Sequence, residues 1–105
     1  MKRLIPIAST VLLALGMQTA RADIKVLACE PEWGALVKEL AGDKASVYVA
    51  TTGLQDPHRI EARPSLVAAA RNTQLVVCTG AELEVGWLPL LIRQSGNSAI
   101  QPGKP

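Results

Sequence analysis

From residue 23 onward the chain alternates between short apolar runs of strand character and segments of helical period. Ile24-Lys25-Val26-Leu27-Ala28 is the first compact β-favouring run. Pro31 follows, where the first turn of a helix tolerates a missing N–H. Trp33, Leu36, Val37, Leu40 and Ala41 then fall at i, i+3, i+4, i+7 and i+8, the stripe of an amphipathic helix. Gly42 suits the position after its end, because glycine takes the left-handed conformation without a Cβ penalty. Asp43-Lys44 makes a turn, Ser46 to Thr51 a second strand, and Thr52 to Arg63 a polar loop. Pro64-Ser65 opens a short helix through Leu66, Val67, Ala68, Ala69 and Ala70, ending near Asn72. Gln74 to Cys78 is a third strand, apolar enough for burial on both faces. Thr79-Gly80-Ala81 turns the chain into a last helix from about Glu82 to Gln94, which Pro89 bends or divides. Gly96-Asn97 stops it, and Gln101 to Pro105 carries no pattern.

The order β-α-β-α-β-α with short connections predicts an α/β fold, a partial doubly wound parallel sheet. Such sheets place their ligand sites beyond the carboxyl ends of the strands. Three strands are few for this architecture, so residues 23–105 read as part of a sheet, and the Pro/Gly ending reads as a connector to further structure.

The first 22 residues have a different texture. Met1-Lys2-Arg3 is a short positive segment, Leu4 to Met17 an apolar stretch, and Ala20-Arg21-Ala22 a small-x-small cleavage signal before Asp23. As a helix the apolar stretch would reach about 21 Å, short of the roughly 30 Å hydrocarbon core. Residues 1–22 are therefore expected to be a secretory signal peptide rather than a lasting membrane anchor. The mature chain is then expected in the periplasm, an oxidising compartment, with no stable membrane insertion.

That reading changes the meaning of the charge. The whole chain has 11 basic and 9 acidic residues, but Lys2, Arg3 and Arg21 lie in the leader, which leaves 8 basic against 9 acidic beyond it. A nucleic-acid binder needs clustered Lys and Arg, so nucleic acid is excluded as a partner. Trp33, Tyr48 and Trp87 are the only aromatic residues, which provides no stacking platform.

Little in the chain supports catalysis. It has no Gly-x-Ser-x-Gly, no Gly-rich phosphate cradle and no Cys-x-x-Cys. Glu82 and Glu84 read as favourable charge at a helix N-terminus. His58, the single histidine, follows the second strand in Gly53-Leu54-Gln55-Asp56-Pro57-His58. A functional imidazole would project from such a loop, and so would an ordinary solvated one. Asp56 and Glu61 could add oxygen ligands, but structural and catalytic zinc sites take three or four protein ligands. Cys29 ends the first strand and Cys78 the third, which are neighbours in a doubly wound sheet. In an oxidising compartment they are expected to pair, the alternative being two buried free thiols packed as small apolar groups.

Asp56-Pro57-His58, then Arg63-Pro64-Ser65, then Leu75-Val76-Val77-Cys78-Thr79-Gly80-Ala81-Glu82-Leu83-Glu84 and Trp87-Leu88 together carry a resemblance. Over nearly all of residues 24–100 the chain resembles the N-terminal lobe of the metal-binding solute-binding proteins of ABC transporters. This is the zinc/manganese class, also called cluster A-I or TroA-like. The resemblance implies an incomplete N-terminal lobe of a two-lobed receptor that takes Zn²⁺ or Mn²⁺ and passes it to a membrane permease, without catalysing a reaction. It makes His58 the first metal ligand. The other ligands, further histidines and a carboxylate, come in the family from beyond the region represented here. The rival expectation is a small secreted, disulfide-stapled interaction module, or a gene remnant without function.

Overall fold

The computed structural model describes residues 23–103, so the expected signal peptide, residues 1–22, lies outside the described residues. Strand β1 (Ile24–Ala28) leads into helix α1 (Pro31–Ala41), a 3₁₀ turn at Gly42–Lys44, and strand β2 (Ala45–Val49). After a loop come helix α2 (Pro64–Arg71), strand β3 (Leu75–Val77), helix α3 (Leu88–Ser95) and a last 3₁₀ turn at Ser98–Ile100. The three strands form one parallel sheet in the order β2-β1-β3. Both outer strands pair with β1, Leu27 standing opposite Tyr48 on one side and Val76 on the other.

Alternation along β1 assigns the two faces. Leu27 and Cys29 belong to the main core, with Ala50, Ile60, Leu66, Val67, Ala70, Trp87, Leu91, Ile92 and Ile100. This side is covered by α2 and α3. The opposite side, with Ala28, Val47 and Val49, meets α1 at Gly34, where a Cβ would come 2.7 Å from Val49 Cγ2. The helix therefore lies against the sheet at a point that admits no side chain. Among the described residues no helix is long and apolar enough to cross a membrane.

Four sequence expectations change in detail. The apolar stripe of α1 is only half used, since Gly34 is its one buried residue while Leu36 and Leu40 are 44% and 77% exposed. The second strand ends at Val49, although the Ala50 N–H still donates to the Ala28 carbonyl at 2.8 Å. The third strand is not buried on both faces: Leu75 is 50% exposed, because β3 is an edge strand in the described sheet. The last helix starts at Leu88 rather than near Glu82, and Pro89 stands in its first turn, where proline belongs. Residues 81–87 are turns instead, held in that form by the contacts of Glu84 and Trp87 described next.

Candidate functional site

His58 lies in the loop that leaves the carboxyl end of β2, the end at which parallel sheets place their ligands. Asp56 organises this loop as an Asx turn. Its Oδ1 accepts the His58 backbone N–H at 3.0 Å and lies 2.8 Å from His58 Nδ1. These contacts, the backbone N–H first and the ring second, hold the Asp56 carboxyl below its ordinary 3.8. A carboxylate can only accept, so Nδ1 carries a hydrogen, and in the neutral ring the lone pair falls to Nε2. The imidazole is 63% exposed, so that lone pair is open to a ligand. Glu61 is also exposed but takes no part in this arrangement.

The His58 loop rests on the segment after β3. The buried Trp87 indole donates from Nε1 to the Pro57 carbonyl at 2.7 Å. Gly86 completes the seat, for a Cβ there would come 2.9 Å from the His58 carbonyl oxygen. Only glycine lets the two backbones approach this closely.

A second polar group occupies the carboxyl ends of β1 and β3. Cys29 and Cys78 are joined by a disulfide, their Cα atoms 4.9 Å apart, and that bond removes both sulfurs from any dyad with His58. Glu84 is 3% exposed, and its carboxylate accepts the backbone N–H groups of Thr79 at 2.8 Å and Gly80 at 3.0 Å. This fold-back carries Ala81 and Glu82 through left-handed backbone, φ 52° and 70°, which costs non-glycine residues energy. Glu84 is therefore not a helix N-terminal charge; it is the pin of a turn. Glu30 is 3% exposed as well. Thr79 donates its hydroxyl to Glu30 Oε2 at 3.2 Å and accepts the Trp33 Nε1–H at 2.8 Å. Burial, and after it the neighbouring Glu84, push the Glu30 carboxyl up from 4.5 to about 7. Among the described residues no donor faces the buried Glu30 Oε1; when protonated, the Glu30 carboxyl can itself donate to Glu84, which is part of why its pKa is raised.

Sequence reasoning reaches His58 and Asp56 through their loop motif but misses the pairing of Glu30 with Glu84. The two acids stand 54 positions apart in the chain, and only the β1–β3 pairing brings them together. The one available signal was position, since each lies in the segment that follows a strand and its adjoining cysteine.

Residues 26–103 match the family model described as ZnuA, zinc-uptake complex component A, periplasmic. Among curated proteins, the iron ABC transporter substrate-binding lipoprotein MtsA of Streptococcus pyogenes serotype M1 is 31% identical over 84 residues. That match covers 76% of this chain and 27% of the relative. Among solved structures, a crystal structure of ZnuA superposes with a TM-score of 0.65 at 26% identity, covering 78% of this chain and 34% of that one. The manganese-bound periplasmic metal-binding protein of Candidatus Liberibacter asiaticus superposes with a TM-score of 0.63 at 19% identity, covering 74% and 29%, and shares the fold. The chain thus spans 27–34% of the length of these relatives.

Proposed function

This chain belongs to the family of periplasmic zinc-uptake component A proteins, and from that premise we propose that it contributes His58 as the first ligand for a divalent metal ion in an ABC uptake system. The metal is cargo. Zinc is the first ion to test and manganese the alternative: the family carries zinc in its name, and one structural neighbour was solved with manganese. The whole receptor would work in the periplasm after export on residues 1–22, and would hand the ion to a membrane permease without chemistry of its own.

The observation that carries this reading is the Asp56–His58 contact at 2.8 Å. A carboxylate on Nδ1 fixes the tautomer and the ring plane and makes Nε2 a better donor, as it does behind metal-bound histidines in general. Imidazole suits zinc and the other first-row divalent ions. One imidazole leaves two or more positions of a tetrahedral zinc shell to water or chance carboxylates. The chain alone is therefore expected to bind zinc weakly, with a dissociation constant well above micromolar.

Because His58 is the single histidine, its ring resonances report binding without ambiguity. Titrating the oxidised protein with Zn²⁺ should move them in fast exchange, with the response gone in His58→Ala. Resonances that stay fixed at millimolar zinc would refute the assignment. Submicromolar one-to-one binding by calorimetry, lost on His58→Ala, would instead show a site complete within this chain.

A further inference from the structure

Cys29 Sγ, Cys78 Sγ and a Glu84 carboxylate oxygen lie within 4.8 Å of one another. We propose that two-electron reduction of the Cys29–Cys78 disulfide opens a metal site separate from His58, in which both thiolates and Glu84 hold a thiophilic divalent ion such as Zn²⁺. Nothing in this inference depends on His58 being a ligand.

The scaffold that places these donors does not rest on the S–S bond. The Cys29 N–H donates to the Val77 carbonyl at 2.9 Å, extending the parallel β1–β3 ladder to the residues that carry the sulfurs. Glu84 is pinned by the two backbone N–H groups of Thr79 and Gly80. The Thr51 hydroxyl donates to the Cys29 carbonyl at 2.8 Å in the buried interior, a further anchor. With the S–S bond open, both sulfurs remain at the sheet's carboxyl end beside a fixed carboxylate. On a tetrahedral zinc ion with bonds of about 2.3 Å, two sulfurs sit about 3.8 Å apart, so the pair must part by about 1.8 Å from its bonded separation, a change that side-chain rotation about the Cα–Cβ bonds can supply.

Among the described residues no fourth side chain joins this group, so the remaining position of a tetrahedral shell would fall to water. Two thiolates and a carboxylate in a buried pocket require a cation, and the sulfur-rich set selects zinc over manganese.

The redox step balances with a dithiol as reductant. Its thiolate attacks Cys78, the half-buried sulfur of the pair, and its second thiol displaces that mixed bond. The reductant leaves as a disulfide, and two thiols remain on the protein. Metal binding then releases the two thiol protons. In the oxidised protein neither sulfur is a thiolate, so no site exists.

The test uses the full chain, reduced with dithiothreitol, freed of it by anaerobic gel filtration, and titrated with Co²⁺ as a spectroscopic stand-in for zinc. A thiolate-to-cobalt charge-transfer band should rise to one equivalent and be bleached by Zn²⁺. It should be absent from the oxidised protein and from the Cys29→Ser/Cys78→Ser double variant, and retained in His58→Ala. A reduced, folded protein with no such band overturns the proposal, as does a band of equal strength before reduction or one lost with His58. Loss of the helical circular dichroism on reduction overturns it too, because the sheet must hold the sulfurs in place. The histidine titration above is run on oxidised protein, so the two readings fail separately.

Discussion

The loop that leaves β2 and the loop that leaves β3 emerge from the same end of the sheet and divide the work between them. The first keeps its key groups in water: His58 and Asp56 are 63% and 53% exposed at the side chain, held by one Asx turn. The second buries its key groups: Trp87, Glu84 and the adjoining disulfide occupy the interior. Ligand presentation and scaffold have thus been separated into neighbouring segments, joined at the Trp87–Pro57 hydrogen bond. The separation predicts that changes in the β3 loop act on stability, reaching the metal only through the Trp87–Pro57 contact, and that changes in the β2 loop act on metal.

Trp87→Ala should have the largest effect. It removes the largest fully buried side chain, and such truncations cost about 3–5 kcal/mol. That is a large share of the stability of a small domain. Urea denaturation should show a much lower midpoint or no folded baseline. Trp87→Phe sharpens the comparison. It keeps most of the apolar volume and loses the Nε1–H to Pro57, at about 1 kcal/mol. The His58 loop then loses its tether, so the zinc response of the imidazole should weaken while the fold persists. An unchanged response would mean the two loops are independent.

Glu84→Ala comes next. It strips the acceptor from two backbone N–H groups and removes two charge-assisted hydrogen bonds, for a loss of about 3 kcal/mol. The turn through Ala81 and Glu82 should relax, since left-handed backbone at two successive non-glycine residues needs such a pin. Hydrogen exchange at Thr79 and Gly80 reads this directly, and protection that survives the substitution would show the turn to be self-supporting.

Glu30→Gln should do the opposite and stabilise, in a pH-dependent way. The folded Glu30 carboxyl is raised from 4.5 to about 7, so the folded state holds the proton more tightly than the unfolded one. Its contribution is full below about pH 4.5 and is lost as pH rises through about 7, at most about 3 kcal/mol. In the oxidised, metal-free protein the glutamine variant should match the parent near pH 4 and exceed it at pH 8. Parallel denaturation curves at both pH values would show that the raised carboxyl is not felt by the fold.

The contrast also explains what could be read from the chain. Strands and helices built on local patterns were legible: the Ile24–Ala28 run, and Pro31 and Pro64 at helix starts, all stand where the pattern put them. The His58 loop was legible because Asp56, Pro57 and His58 are consecutive and their contacts are local. The β3 loop was not. A helix starting near Glu82 fits the local pattern, yet Glu84 finds better acceptor geometry by folding back on Thr79 and Gly80. Trp87 is likewise committed to a carbonyl 30 residues away. Long-range partners overrule local propensity there, and no periodicity signals them. The half-used stripe of α1 has the same origin, for Gly34 and not the leucines sets the distance to the sheet.

His58→Ala should have the smallest effect on the fold and the clearest effect on metal. The ring is 63% exposed, and its side-chain partner among the described residues is Asp56, itself 53% exposed. Substitutions at such positions change stability by about 0.5 kcal/mol or less, so the urea midpoint should coincide with the parent's. The weak zinc response of the oxidised chain should nevertheless vanish, because no other imidazole exists in the sequence. Asp56→Asn tests the finer point. The amide retains an oxygen for the His58 backbone N–H but loses the negative charge behind Nδ1, and partners of this kind are worth about 10–100-fold in metal affinity. A zinc dissociation constant raised by about tenfold, at unchanged midpoint, is the expected result. If His58→Ala instead lowered the midpoint as far as Glu84→Ala does, the β2 loop would belong to the scaffold and the division between the two loops would not hold.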